Sequence, residues 1–111
     1  MNAKFTAFLF LEEKMKLEDW RKEIDSIDEE IVRLINRRAK IAREIGALKA
    51  AAGLPVIDET REDEILRNAA ARNEGVLKNE AIVKIFRAVI RESRNIQVET
   101  QSKMMTGEQV R

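Results

Sequence analysis

Apolar residues recur along the first half of the chain at spacings that alternate between four and three. They are Leu17, Trp20, Ile24, Ile27, Ile31, Leu34, Ile41, Ile45, Leu48 and Ala52. This spacing places them on one face of an α-helix. No Gly or Pro occurs from residue 17 to residue 45, and Gly46 costs about 1 kcal/mol within a helix, so the first clear stop is Gly53-Leu54-Pro55. The sequence therefore predicts a first helix of about 36 residues, roughly 54 Å long.

Two shorter helices follow. The second is predicted to begin after an N-cap at Asp58, with Glu59 and Glu62 in its first turn, and to end around residues 73–75. The third is predicted to run from a cap at Asn79 to about Gln101. Because no segment alternates with a period of two, we expect no sheet. The predicted fold class is all-α, with one very long, one short and one medium helix.

The charge balance and the missing residue types exclude several functions. Lys and Arg total 21 against 20 Asp and Glu, and a net charge of +1 creates no long-range field to hold nucleic acid. With no Cys and no His, thiolate nucleophiles, zinc-finger sites and imidazole bases are excluded. We expect neither a metal nor a cofactor. No apolar run approaches the ~20 residues that span a bilayer, so no membrane is expected, and the absence of Cys fits a cytoplasmic location.

Both ends of the chain are predicted to lie outside the main helical domain, which is assigned to residues 15–102. Residues 1–14 are interpreted as an N-terminal extension, either frayed or packed on a partner, with Met15 as an alternative start. The apolar run from Phe5 to Leu11 is too short for a signal peptide. Residues 103–111 are predicted to form a frayed C-terminal tail.

The predicted first helix is too long for the rest of the chain to cover. The second and third helices supply only about 15 and about 22 residues, so part of the apolar stripe would face water in a monomer. We therefore predict an intertwined homodimer, in which the long helices of two copies pair and the other helices pack across both. A simple coiled coil is the alternative.

Two cationic residues lie on the apolar stripe of the first helix. Arg38 occupies the stripe position between Leu34 and Ile41, and Lys49, eleven residues later, returns to within ~20° of the same face, about 16 Å along the axis. A buried guanidinium is costly unless an anion meets it. The spacing predicts a site for a small anionic molecule between the two cations. Pairing with the protein's own carboxylates, or extension of the side chains toward solvent, is the alternative.

The apolar stripe of the third helix ends in two polar residues. After Ile82, Phe86 and Val89, the next two positions on that stripe are Ser93 and Gln97. Polar groups at core positions need partners. One such residue is typical of a hydrogen bond between helices, but two of them opposite two cations favour a ligand site.

The loop between the first two helices supplies further candidates. Asp58, Arg61 and Glu62 stand at the start of the second helix, where each also has a structural interpretation. Asp58 fits a simple N-cap, Glu62 fits a residue that interacts with the helix dipole, and Arg61 fits an exposed surface residue. The sequence alone leaves both interpretations open.

Arg21 lies too far from the other candidates to act with them in one chain. It precedes Arg38 by 17 residues, which corresponds to roughly 25 Å along a helix. If Arg21 contributes to a pocket, that pocket belongs to the other protomer. The alternative is an exposed arginine that pairs with Glu18 or Asp25 on its own helix.

Five motifs from Leu17 to about Gln97 resemble the all-helical class of chorismate mutases. They are Arg-x2-Ile-Asp-x2-Asp at 21–28, Asn-Arg-Arg at 36–38, Ile-Gly-x2-Lys at 45–49, Pro-Val-x-Asp-x2-Arg-Glu at 55–62 and Phe-x6-Ser-x3-Gln at 86–97. No single motif is specific, but all five occur in the family's order and spacing. The resemblance implies an intertwined all-α dimer that converts chorismate to prephenate, on the route to phenylalanine and tyrosine, without a cofactor.

The resemblance also implies a role for each matching residue. Arg38 and Arg21 of the partner subunit would bind the two substrate carboxylates, with help from Ser93. Lys49 and Gln97 would donate hydrogen bonds to the ether oxygen, where negative charge develops. Asp58 and Glu62 would hold the hydroxyl region, and Arg61 would support the loop.

The sequence leaves two alternative functions open. One is an isochorismate-pyruvate lyase of the same fold, although the Asp58-x2-Arg61-Glu62 loop favours the mutase. The other is a non-catalytic helical dimerisation module.

Overall fold

The computed structural model describes residues 3–107, which form three α-helices. The helices are α1 (Ala3–Ala52), α2 (Glu59–Ala71) and α3 (Asn79–Met105). No strand occurs within these residues, so the predicted all-α fold with three helices of very different length is confirmed. The chain divides into two compact units, with the boundary after Leu34. The last part of α1, together with α2 and α3, belongs to the second unit.

Helix α1 begins at Ala3 and not at the predicted Leu17. The sequence pattern missed these turns because residues 5–11 are apolar at nearly every position and show no one-sided periodicity. Helix α3 likewise continues past the predicted Gln101 to Met105. Residues 1–2 and 108–111 lie outside the described residues. The interpretation of residues 1–14 as an extension and of residues 103–111 as a frayed tail stays a prediction.

Helix α1 ends at the glycine that the sequence indicated. Gly53 has a φ of 69°, in the left-handed region that favours glycine. The Leu54 amide donates to the carbonyl oxygen of Lys49 at 2.8 Å, and the Gly53 amide donates to that of Ala50 at 3.3 Å. These two bonds form a Schellman motif, which satisfies the last carbonyl groups of the helix and turns the chain toward the loop.

The N-caps of α2 and α3 differ in how well the sequence predicted them. The Asp58 carboxylate accepts a hydrogen bond from the Arg61 amide at 3.0 Å, which confirms the predicted cap of α2. The cap of α3 is Lys78 and not Asn79, and its side chain makes no capping bond. The Asn79 side chain instead accepts a hydrogen bond from Asn73 Nδ2 at 2.8 Å. That contact holds the loop between α2 and α3 and removes Asn79 from the capping role.

Small residues of α1 allow the backbone of α3 to approach closely. Ala42 and Gly46 are buried on α1, and Ile90 and Thr100 are buried on α3. The Thr100 hydroxyl, within a residue that is only 3% exposed, donates to the carbonyl oxygen of Ile96 at 2.8 Å. An ideal Cβ at Gly46 would lie 2.9 Å from the Cα of Gln97. The absence of a side chain at Gly46 therefore sets the distance between the two helices.

We expect the Gly46→Ala substitution to destabilise the protein. Alanine gains about 1 kcal/mol in helix propensity, but its Cβ would meet backbone at 2.9 Å. Overpacking of this kind typically costs about 1–3 kcal/mol, so the midpoint of urea unfolding should fall. Gly75→Ala is the matched control, because a Cβ there meets only the Asn73 side chain at 3.9 Å. A Gly46→Ala variant at least as stable as the parent would contradict the proposed close contact.

The first unit has no buried side chain among its described residues, 3–34. Trp20 is 69% exposed, and the rest of the predicted stripe on this part of α1 is also exposed, namely Ile24, Ile27, Ile31 and Leu34. A continuous apolar face of this kind is typical of a surface that a partner covers. No described helix combines the length and the apolar character that crossing a bilayer requires.

Candidate active site

The second unit contains a cavity of about 470 Å³. Its lining residues are Arg38, Ile41, Ala42, Ile45, Lys49, Val56, Asp58, Arg61, Glu62, Ile65, Ile90, Ser93, Arg94 and Gln97. All the site residues predicted from the sequence are among them except Arg21. Side chains from α1, α2 and α3 and from the loop after α1 therefore converge on one space.

Arg38 and Lys49 line this cavity together, as their spacing on α1 predicted. Among the described residues, neither cation forms an ion pair with a carboxylate. The Arg38 guanidinium donates a hydrogen bond to the Ser93 hydroxyl of α3. The Lys49 ammonium donates to the Val56 carbonyl oxygen at 2.8 Å and to Gln97 Oε1 at 2.9 Å. Both positive charges thus face the cavity with neutral partners only.

Burial lowers the pKa of the Arg38 guanidinium from its ordinary value, and the nearby positive charge of Arg61 lowers it further. Both effects disfavour the charged form of Arg38. An anion bound between Arg38 and Arg61 would offset both, because it would replace lost hydration and screen the two cations from each other. The electrostatics of this end of the cavity favour a negatively charged ligand.

The Lys49–Gln97 contact orients the amide of Gln97. Because Oε1 accepts from Lys49, the Nε2 group is left as the donor end of the amide. Within the described part of the chain, Nε2 makes no hydrogen bond, and Lys49 retains one of its three N–H donors. Two adjacent donors are therefore available to an oxygen atom of a ligand.

Asp58 and Arg61 line the cavity and also make contacts within the protein. Asp58 is both the N-cap of α2 and a lining residue, so its structural interpretation is confirmed while one carboxylate oxygen remains unused by the cap. Arg61 lines the cavity, and its guanidinium pairs with Glu64 at 2.7 Å, with both side chains half-exposed. The described residues contain no group of three His, Cys, Asp or Glu that could hold a metal ion.

Arg94 is a charged cavity residue that the sequence did not predict. Its Nε donates to Glu62 Oε2 at 3.2 Å, and its Nη2 donates to Glu62 Oε1. Glu62 therefore does more than interact with the dipole of α2. Arg94 lies four residues after Ile90 and three before Gln97, so helical periodicity alone places it on the same face of α3. That signal was available in the sequence, although the pairing with Glu62 was not.

Arg21 belongs to the first unit of the chain, where it is exposed. Its Nη1 forms an ion pair with Glu18 at 2.8 Å, and the Arg21 side chain is 62% exposed. Within one chain, the structure thus shows the exposed ion pair that the sequence offered as the alternative. Its contribution to a site in another protomer stays a prediction.

Residues 20–98 match the protein family described as Chorismate mutase type II. The chain belongs to this family. All the candidate site residues lie within the matched region, including Arg21, whereas residues 3–19 of α1 precede it.

Relatives of this chain include a bifunctional chorismate mutase/prephenate dehydratase and a chorismate mutase. A bifunctional chorismate mutase/prephenate dehydratase from Aquifex aeolicus is 47% identical over 79 residues, which cover 68% of this chain and 22% of the relative. The chain thus spans about a fifth of that relative. A chorismate mutase from Methanocaldococcus jannaschii is 33% identical over 93 residues, covering 79% of this chain and 94% of the relative.

A solved structure shows the same fold. It is the chorismate mutase (form II) from Thermus thermophilus, with a TM-score of 0.73 and 35% sequence identity. The match covers 74% of this chain and 93% of the Thermus chain. The chorismate mutase fold therefore accounts for most of the helical structure described above.

Proposed function

We propose that this chain catalyses the rearrangement of chorismate to prephenate. The observation that carries the proposal is the pair of cations Arg38 and Lys49, which face one cavity without a carboxylate partner among the described residues. Chorismate is a compact dianion of the kind that such a pair would bind. The cavity volume of about 470 Å³ lies within the ordinary range for small-molecule sites. Membership of the chorismate mutase family supports the same activity.

The proposed reaction suits a chain without His or Cys. In this pericyclic rearrangement the ether C–O bond of chorismate breaks while a C–C bond forms, with no proton transfer and no covalent intermediate. The protein needs only to select the compact conformer of the substrate and to stabilise the charge that develops. Fixed cations and amide donors supply both functions.

Carboxylate binding is assigned to the arginines. Arg38 would pair with one substrate carboxylate, and Ser93, which already contacts Arg38, would add a hydroxyl donor. The second carboxylate is assigned to Arg21 of the partner subunit. Holding both carboxylates would restrict the substrate to its folded conformer and reduce the entropic part of the barrier.

Charge stabilisation is assigned to Lys49 and Gln97. Negative charge grows on the ether oxygen as its bond to carbon lengthens, and preorganised donors at that oxygen stabilise the transition state more than the ground state. The 2.9 Å contact between Lys49 and Gln97 supports this role because it keeps the two remaining donors side by side. Asp58 and Glu62 are assigned to the substrate hydroxyl, with Arg61 supporting the loop.

We further propose that the functional form is an intertwined homodimer. The exposed apolar stripe of residues 17–34 supports this, since the first unit buries no described side chain of its own. A second copy offers the same stripe and would cover it. The dimer would also bring Arg21 of one protomer to the cavity of the other. A cytoplasmic location is likewise kept as a prediction.

The decisive experiment is incubation of the purified chain with chorismate and, separately, with isochorismate. We expect chorismate to disappear with equimolar formation of prephenate. Formation of salicylate and pyruvate from isochorismate, with chorismate unchanged, would instead support the lyase. If neither substrate reacts, the proposed function is wrong and a non-catalytic helical dimer becomes the better interpretation.

The identity of residue 97 predicts the pH dependence of activity. An amide donates at any ordinary pH, and the site contains no group with an ordinary pKa near neutrality, so kcat/KM should be nearly flat from about pH 5 to 9. In the Gln97→Glu variant, Lys49 at 2.9 Å would lower the pKa of the new carboxyl and keep it ionised at neutral pH. An ionised carboxylate cannot donate, so this variant should be weakly active across the whole range, with activity rising only below about pH 5.

Measurement of kcat/KM for chorismate across this pH range tests the prediction. Gln101→Glu is the matched control, because Gln101 lies one turn further along α3, outside the cavity, and donates to the Leu54 carbonyl oxygen. Its profile should stay flat. A steep loss of parent activity across neutral pH, or parental activity of Gln97→Glu at neutral pH, would count against the role of Gln97.

A further inference from the structure

The contact between Arg94 and Glu62 has no counterpart among the other ion pairs of the described residues. The other pairs join residues one to four positions apart, as in Arg61–Glu64 or Lys103–Glu99. Arg94–Glu62 instead joins α3 to α2 across the cavity wall. The Glu62 side chain is only 22% exposed, so this pair is better shielded from solvent than the pairs confined to one helix.

We infer that Arg94 is a positioning residue that keeps the Glu62 carboxylate away from Arg38 and Lys49. This inference rests on the proposed function of the same cavity. By holding both oxygens of Glu62, Arg94 prevents that negative charge from neutralising the cations that are needed for a dianionic substrate.

The contact with Arg94 fixes the orientation of the Glu62 carboxylate. Arg94 grips Glu62 with two different nitrogens on two different oxygens, Nε on Oε2 and Nη2 on Oε1. A two-point contact between a planar guanidinium and a planar carboxylate fixes the orientation of the acid as well as its position. Glu62 is therefore held in one place and not merely attracted.

The pairing of Glu62 with Arg94 also affects the charge balance of the cavity. Arg38, Lys49, Glu62 and Arg94 all line the same cavity. Glu62 pairs with Arg94, and within residues 3–107 no carboxylate pairs with Arg38 or Lys49. Without Arg94, an unpaired Glu62 carboxylate would gain most by moving toward those cations. It would then compete with the substrate for them, and it would also repel a dianion that enters the cavity.

Glu62 can still accept further hydrogen bonds while it is paired with Arg94. A carboxylate offers about four acceptor sites, and Arg94 occupies two of them. The remaining lone pairs can accept a hydrogen bond from a substrate hydroxyl, so the clamp restrains the acid without removing it from the site.

The proposal predicts a specific relation between single and double variants. Arg94→Met should raise KM for chorismate at least about tenfold with a smaller change in kcat, because it chiefly weakens substrate binding. In the Arg94→Met/Glu62→Gln double variant the competing charge is gone, so KM should return to the value of Glu62→Gln alone. The KM of Arg94→Lys should lie between those of the parent and Arg94→Met, since one ammonium group cannot bind both carboxylate oxygens in the planar two-point geometry of a guanidinium.

Arg91→Met is the matched control. Arg91 also lies on α3, but its contact is with exposed Glu92 and it does not line the cavity. Its KM should equal that of the parent. Thermal unfolding of every variant, followed by circular dichroism, ensures that the kinetics are measured on folded protein.

The outcomes separate this inference from the proposed function. If the parent chain does not convert chorismate, the proposed function fails. If the parent is active and Arg94→Met has an unchanged KM, the positioning role of Arg94 is wrong. A double variant with a KM as high as that of Arg94→Met would also overturn it, because removal of the competing carboxylate would then have had no effect.

Discussion

Replacement of Lys49 by Ala should lower kcat/KM for chorismate at least about 100-fold, the scale expected for loss of one preorganised donor in a transition state. Two consequences of the substitution act together. The ammonium that would stabilise the ether oxygen is removed, and Gln97 loses the contact at 2.9 Å that orients its amide. Most of the loss should appear in kcat, because the developing charge is larger in the transition state than in bound chorismate.

The matched control is Lys40→Ala. Lys40 is also a lysine of α1, but it lies outside the cavity that Lys49 lines. Its kinetic constants should equal those of the parent, which separates loss of a specific donor from a general loss of positive charge. Lys49 also donates to the Val56 carbonyl oxygen, so circular dichroism and thermal unfolding must show that Lys49→Ala remains folded. A folded Lys49→Ala variant with parental activity would show that the role at the ether oxygen is misassigned.

Helical periodicity predicted which residues share the cavity. A period of about 3.6 residues fixes which side chains lie on one helix face, so the sequence alone was enough to group Arg38 with Lys49 on one helix and Ser93 with Gln97 on another. The sequence also predicted the end of α1 and the start of α2, because each depends on neighbouring residues. Gly53 and Asp58 ended one helix and began the next because a left-handed turn and an N-cap depend only on nearby residues.

The contacts that the sequence did not predict depend on distances between helices. Pairing of Glu62 with Arg94 requires α2 and α3 to lie at one particular separation, and periodicity gives no such distance. The acceptor on Val56 is a backbone carbonyl, which every residue has, so no side-chain pattern could identify it. The early start of α1 was missed for a different reason, since its first turns are apolar on all sides and so lack a one-sided signal.

If the site is shared between protomers, a mixture of two weakly active variants should regain turnover. Arg21→Ala removes the cation assigned to one substrate carboxylate and should cost on the order of 10- to 100-fold in kcat/KM, the scale of a lost charged hydrogen bond. In a heterodimer of Arg21→Ala with Lys49→Ala chains, one site combines an intact Lys49 with an intact Arg21 from the other chain. The other site lacks both. Random exchange of equal amounts should therefore restore roughly a quarter of the parental turnover.

The control for this experiment is the same exchange between Arg21→Ala and an Arg21→Ala/Lys49→Ala double variant. No arrangement of these chains yields a complete site, so turnover should stay at the level of the separate variants. Sedimentation or light scattering establishes that the parent is a dimer, and native mass spectrometry, which separates the heterodimer from the two homodimers by mass, establishes that subunits have exchanged. The sequence predicts roughly 25 Å between Arg21 and Arg38 along one helix, so we do not expect Arg21 to reach the ligand of its own chain. If turnover recovers in the mixture of single variants but not in the control mixture, the site is shared between protomers. If turnover does not recover after verified exchange, Arg21 has no role in a shared site, and its exposed ion pair with Glu18 is the better interpretation.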